Sequence, residues 1–155
     1  MEKLQEESRM KLPSLRQATD EDCRLMFQLQ RLDGKESDEE NQEQTAEYEV
    51  YKDEFDPSKI EVIELKGVPV GRLRVVREDD IYIGGFQILP EYRGLGIGTS
   101  VLSDLIEESE QTGMVITLEV FTDNTSAIQL YQKLGFKITA ETEKQQIMKY
   151  EPQSA

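Results

Sequence analysis

Three glycines, Gly94, Gly96 and Gly98, alternate with Leu95 and Ile97 immediately after Arg93 and before Thr99. That spacing lets the backbone turn tightly and brings bare amides up to a ligand with no side chain in the way. Ile97, Val101, Leu102, Leu105 and Ile106 follow at helical spacing, so those amides stand at a helix N-terminus. Free N–H groups and the positive end of the helix dipole favour an anion there, and phosphate binding is the natural chemistry. Two common phosphate loops fit poorly. No Lys follows Gly98 as a Walker loop requires, and the run is G-x-G-x-G rather than the dinucleotide spacing G-x-G-x-x-G.

A second set of reactive side chains lies downstream. Glu119 interrupts the apolar run Val115-Ile116-Thr117-Leu118-Glu119-Val120-Phe121, and a carboxylate in a buried strand is pushed by desolvation toward the range of a general base. Asp79 and Asp80, in a turn, are weaker candidates. Asn124 reads as a helix cap, and Tyr131 as an aromatic residue on the stripe of the helix that follows. The chain has no histidine, which removes the commonest general base and the commonest metal ligand, so no metal is expected. Cys23, the only cysteine, then reads as a small buried residue with nothing to activate it.

Arg93-Gly94-Leu95-Gly96-Ile97-Gly98 resembles R-x-x-G-x-G/A, the coenzyme A pyrophosphate loop of the GNAT superfamily of N-acetyltransferases. Its flank Ile88-x-Pro90-x-x-Arg93-Gly94 matches as well, and Asn124-x-x-Ala127-x-x-Leu130-Tyr131-x-Lys133-x-Gly135-Phe136 resembles the second block of the same superfamily. The likeness covers roughly Ile60 to Tyr150. It implies an α/β GNAT fold whose mixed sheet splays at the acetyl-CoA cleft, flanked by about four helices. It implies acetyl-CoA as acyl donor, with Arg93, Gly94, Leu95, Gly96, Ile97, Gly98 and Thr99 on the pyrophosphate. Gln87, Ile88 and Leu89 would lie along the pantetheine arm, where a backbone amide polarises the thioester. Asn124, Ala127 and Tyr131 would complete the coenzyme site, Tyr131 also protonating the departing thiolate. Glu119-x4-Asn124-x6-Tyr131 resembles the spacing in ribosomal-protein alanine acetyltransferases, where the glutamate is the proposed base. The activity implied is transfer of acetyl to a primary amine by direct attack in a ternary complex. The alternatives are a non-catalytic acyl-CoA sensor and a nucleotide-binding protein. Homodimers are common among proteins of this kind.

Composition is compatible with that activity. Lys and Arg number 18 against 32 Asp and Glu, a formal net charge of −14, which repels nucleic acid and anionic membranes and favours a cationic acceptor. From Arg31 to Glu64 thirteen acids face four bases, and the family's acceptor wall falls in this region. A chain of 155 residues reads as one domain, 1–155, with Met1 to Met10 as a flexible extension. A single cysteine, no leader and no long apolar run point to a soluble cytoplasmic protein.

The elements that must position these residues are read in order. Lys11 to Gln17 is an edge strand, and Thr19 with Asp20, Glu21 and Asp22 starts a helix that buries Cys23, Met26, Phe27 and Gln30 and ends near Asp33-Gly34. A second helix starts after Ser37 at Asp38, Glu39 and Glu40, with Gln44, Tyr48, Tyr51 and Phe55 on its stripe. Ile60 to Leu65 is an exposed strand; Val68 to Val76 and Ile81 to Leu89 are strands, and Gly84-Gly85 leaves room for substrate or marks a bulge. The helix after the glycine loop stops at Gly113, Met114 to Phe121 is a buried strand, Ser126 to Leu134 a helix, and Phe136 to Thr142 and Gln146 to Tyr150 the closing strands. The sheet should be antiparallel in its first half and parallel at strand–helix–strand units.

Overall fold

The computed structural model describes residues 12–32 and 42–153. The expected extension over Met1 to Met10, the end of the first helix at Asp33-Gly34 and the start of the second at Ser37 to Glu40 lie outside them. The chain forms two compact units: one ends at Arg74 and takes in Gly85–Arg93, the other comprises Val75–Gly84 and the chain from Gly94.

One open, mixed sheet of seven strands has the order β1-β2-β3-β4-β5-β7-β6. Its strands are β1 (Ser14–Gln17), β2 (Glu61–Leu65), β3 (Val68–Arg77), β4 (Ile81–Ile88), β5 (Ile116–Phe121), β6 (Lys137–Glu141) and β7 (Gln145–Tyr150). Four α-helices occur among the described residues: α1 (Cys23–Arg31), α2 (Gln42–Glu54), α3 (Ile97–Thr112) and α4 (Thr125–Lys133). The order of elements is the one expected, and none of these helices is long and apolar enough to cross a membrane.

In the first unit Thr19 opens a 3-10 turn over Asp20–Asp22 rather than the α-helix itself. The Asp22 carboxylate accepts from the Thr19 N–H at 2.8 Å and from Arg16 Nη1 at 2.8 Å, and Arg16 Nε donates to Glu64 at 2.8 Å. The hydrogen bond from Arg16, foremost among the causes, holds the Asp22 carboxyl below its ordinary range. Helix α1 buries Cys23, Met26 and Phe27 as expected, but Gln30 is exposed and Leu29, 0% exposed, takes its place. Burying a leucine is worth about 1.5–3 kcal/mol, whereas a buried glutamine amide needs partners for every polar atom. Tyr48 and Tyr51 of α2 pack on Phe27 with ring centroids 5.2 and 5.3 Å away, and Phe55 packs on Tyr51 at 5.6 Å. The expected stripe is therefore present, except that the side chain of Gln44 lies outside the described ones. Strand β2 is not exposed: Val62 and Ile63 are both 0% exposed, because β1 and β3 pair on either side of it.

In the second unit Ile97, Val101, Leu102 and Leu105 form the buried stripe of α3, which ends on a left-handed Gly113 (φ 77°). The parallel ladder joins Ile81, Tyr82 and Ile83 of β4 to Ile116, Thr117 and Leu118 of β5. The second strand–helix–strand unit makes no parallel pair. Strand β7 inserts between β5 and β6 and is antiparallel to both, so β6 becomes an edge whose residues are all exposed.

Candidate active site

The glycine loop has the backbone that its sequence requires. After a 3-10 turn over Pro90–Tyr92, Gly94 and Gly96 are left-handed, with φ of 78° and 84°. A Cβ at either would meet no protein atom within 4 Å, so glycine is needed there for conformation and not for packing. Gly96 is the N-cap of α3, no side chain caps the helix, and its first turn has no acid. The first intrahelical bond runs from the Ser100 N–H to the Gly96 carbonyl at 3.0 Å. The amides of Ile97, Gly98 and Thr99 precede it and are donors at the positive end of the dipole, the arrangement that takes an anion. Ile97 is 2% exposed and anchors the turn from inside, whereas Leu95 is 63% exposed and stands clear of the protein.

Arg93, exposed, turns back within the first unit and donates from Nε to the Ile88 carbonyl at 3.0 Å. Gln87 is buried, and the Leu89 N–H donates to the Val70 carbonyl at 2.8 Å, so the last residues of β4 are held by β3. The room expected at Gly84-Gly85 is not open at Gly85. A Cβ there would lie 2.9 Å from Arg72 Cζ and closer still to Nη1, so the chain's own guanidinium fills the space.

In the second unit the Asn124 side chain caps α4, accepting from the Ala127 N–H at 3.3 Å. One turn on, Tyr131 is 7% exposed, with its ring 5.5 Å from that of Phe136, which lies 5.7 Å from Tyr150. The Tyr150 hydroxyl donates to Glu110 at 2.6 Å, and this hydrogen bond, together with burial, raises the phenol pKa. Gly135 (φ 105°) lets the chain double back so that the Phe136 N–H reaches the Tyr131 carbonyl at 2.9 Å. The Tyr131 phenol thus sits on an aromatic brace.

Glu119 departs from expectation. It is exposed, because β5 alternates strictly and Ile116, Leu118 and Val120 take the buried face. The desolvation argument for it therefore fails. Asp80 accepts from the Thr117 hydroxyl at 2.8 Å, which ties the turn before β4 to β5. Among the described residues no three of His, Cys, Asp or Glu are grouped to hold a metal ion.

A family model described as the acetyltransferase (GNAT) family matches residues 20–136. The chain belongs to that family. N-alpha-acetyltransferase 50 of Danio rerio is 42% identical over 77 residues, which cover 48% of this chain and 45% of that protein. The [ribosomal protein bS18]-alanine N-acetyltransferase of Escherichia coli K12 is 37% identical over 59 residues, 37% of this chain and 40% of that one. The chain thus spans less than half the length of these curated relatives. Among solved structures, the PaiA N-acetyltransferase of Thermoplasma acidophilum in complex with coenzyme A has a TM-score of 0.71 at 17% identity, over 90% of this chain and 98% of that one. That likeness carries the GNAT fold.

One group in this GNAT chain escaped the sequence reading. Arg72, 6% exposed in β3, donates from Nη1 to the Gln87 side-chain oxygen at 3.1 Å. The available signal was a pair of strand-interior glycines, Gly71 and Gly85, since such glycines mark close approach.

Proposed function

We propose that the protein transfers the acetyl group of acetyl-CoA to the primary amine of a peptide or small molecule, by direct attack in a ternary complex. One observation carries this reading: two left-handed glycines lead into an uncapped helix N-terminus in a chain of the GNAT family. The amides of Gly94 to Thr99 then hold the pyrophosphate, with the Thr99 hydroxyl as a further donor. Gln87, Ile88 and Leu89 are assigned to the pantetheine arm, and Asn124 and Ala127 of α4 are assigned to the coenzyme as well. Acetyl-CoA supplies an activated acyl group on sulfur. As the amine nitrogen bonds to the carbonyl carbon, the C–S bond breaks and Tyr131 gives its proton to the thiolate. A phenol of pKa near 10 can do so once its ring is fixed and water excluded. Glu119, exposed, serves as base for the ammonium proton through water.

A cationic acceptor suits the exposed acids Glu49, Asp53 and Glu54 of α2. One relative is named an N-alpha-acetyltransferase and another a ribosomal-protein alanine N-acetyltransferase, and this favours a peptide N-terminus over a lysine or a polyamine. A single cysteine, which allows no intrachain disulfide, fits a reducing cytoplasm. The test is free-thiol release from acetyl-CoA against N-terminal peptides, lysine peptides and polyamines. Release with free N-termini alone is expected. Release with polyamines alone would move the acceptor to small molecules, and stabilisation by ATP or NAD with none by acetyl-CoA would overturn the reading.

A further inference from the structure

A guanidinium inside a sheet is costly unless its donors are fixed on acceptors. Arg72 lies between Gly71 and Leu73 in β3, with Val70 and Leu73 buried on either side. Its Nη1 bonds to Gln87, itself 6% exposed. The arrangement is reciprocal. Gly85 of β4 lacks the Cβ that would strike the Arg72 guanidinium, and Gly71 of β3 lacks the Cβ that would lie 2.6 Å from the Gln87 carbonyl oxygen. Each strand gives up a side chain where the other places a polar group. The bond from the Leu89 N–H to the Val70 carbonyl closes the lock at its far end. Tyr51 of α2 adjoins it: burial raises its phenol pKa, and the Arg72 cation opposes that rise.

We propose that Arg72 is a positioning residue for acetyl transfer, fixing the path of Gly85–Leu89 through Gln87 and Gly85. It rests on the acetyl-transfer reading, since that segment is the one assigned to the pantetheine arm. Arginine suits the post because a planar fork can lie against a bare backbone and still reach a side-chain amide, which a flexible ammonium cannot do at once.

The test joins amide hydrogen exchange to kinetics in the full chain. In Arg72→Met, exchange of the Gly85–Leu89 amides should rise about tenfold while that of Ile116–Phe121 stays as in the wild type. Turnover should fall about tenfold or more, with the KM for acetyl-CoA within about threefold. Arg72→Lys should not restore it, and combining Arg72→Met with Gln87→Met should cost no more than the worse single change. Should Arg72→Met fail to fold, Gly85→Ala, which pushes on the guanidinium from the other strand, must raise exchange in the same segment. Unchanged exchange at Gly85–Leu89, or rate losses that multiply, would overturn the proposal. If the wild type released no thiol with any acceptor, the acetyl-transfer reading would fall while the exchange result still judged the lock.

Discussion

The two units hold their functional residues by different means. In the first, the end of β4 is fixed by side chains distant in sequence: Arg72 reaches Gln87, and glycines at 71 and 85 make room for the contact. In the second, the glycine loop and Tyr131 are fixed by short-range backbone geometry, through left-handed Gly94, Gly96 and Gly135, an Asn124 cap and the tilted ring contacts of Tyr131, Phe136 and Tyr150. Local devices leave a spacing in the sequence, and a lock between strands leaves only single residues whose meaning depends on the pairing.

Changes in each unit should therefore fail in different ways. Among changes to the scaffold, the largest effect is expected from Gly96→Val. A β-branched residue at φ 84° is strained by about 1–3 kcal/mol, and the strain falls on the amides proposed to hold the pyrophosphate. Affinity for acetyl-CoA should drop about tenfold or more, read by titration calorimetry; unchanged affinity would break the link between loop conformation and coenzyme. Gly135→Ala comes next. At φ 105°, with Tyr150 Cε2 only 3.2 Å from the new Cβ, it should cost about 1–2 kcal/mol of stability in a urea melt. It should also slow turnover by loosening the brace behind Tyr131, and a loss of stability with turnover intact would show the brace to be merely structural.

Smaller effects separate the remaining groups. Glu119→Gln should flatten or shift the acid limb of the pH–rate profile, and an unaltered profile would hand the base role to water or another acid. The smallest effect is expected from Asp22→Asn in the first unit. Asp22 has a depressed pKa in the fold, so its contribution is present above the ordinary carboxylate range and is lost as pH falls through the folded value. The variant should melt a few degrees below the wild type at neutral pH, and the gap should close as pH falls below the ordinary carboxylate range. A gap that persisted in acid would mean that the Arg16 pair is not its source.

Much of the second unit was legible beforehand. Gly94 and Gly96 proved to need positive φ, Gly113 and Gly135 ended their helices as read, and Asn124 capped α4. Where the reading failed, tertiary pairing had decided the outcome. The apolar run around Glu119 predicts burial, but a carboxylate at an alternate position of β5 goes to the outward face. The pair Gly84-Gly85 predicts room for substrate or a bulge, and at Gly85 the Arg72 guanidinium occupies the space. Strand β2 reads as exposed in the sequence but has a neighbour paired on each side, and β7 takes the place beside β5 that chain order offers to β6. Leu29 displaced Gln30 in the core of α1 because burial favours leucine over an amide.

The central claim is that this chain moves an acetyl group with Tyr131 as the acid. Its most direct test is thiol release from acetyl-CoA with a free N-terminal peptide, wild type beside Tyr131→Phe. The variant should lose about 10²-fold in turnover with its affinity for acetyl-CoA little changed, and the acetylated peptide should gain mass only with the wild type at comparable times. Equal turnover in the two proteins would remove Tyr131 from the chemistry, and acetyl-CoA binding with no acetylated product from N-terminal peptides, lysine peptides or polyamines would contradict the acetyl-transfer reading and favour a coenzyme sensor.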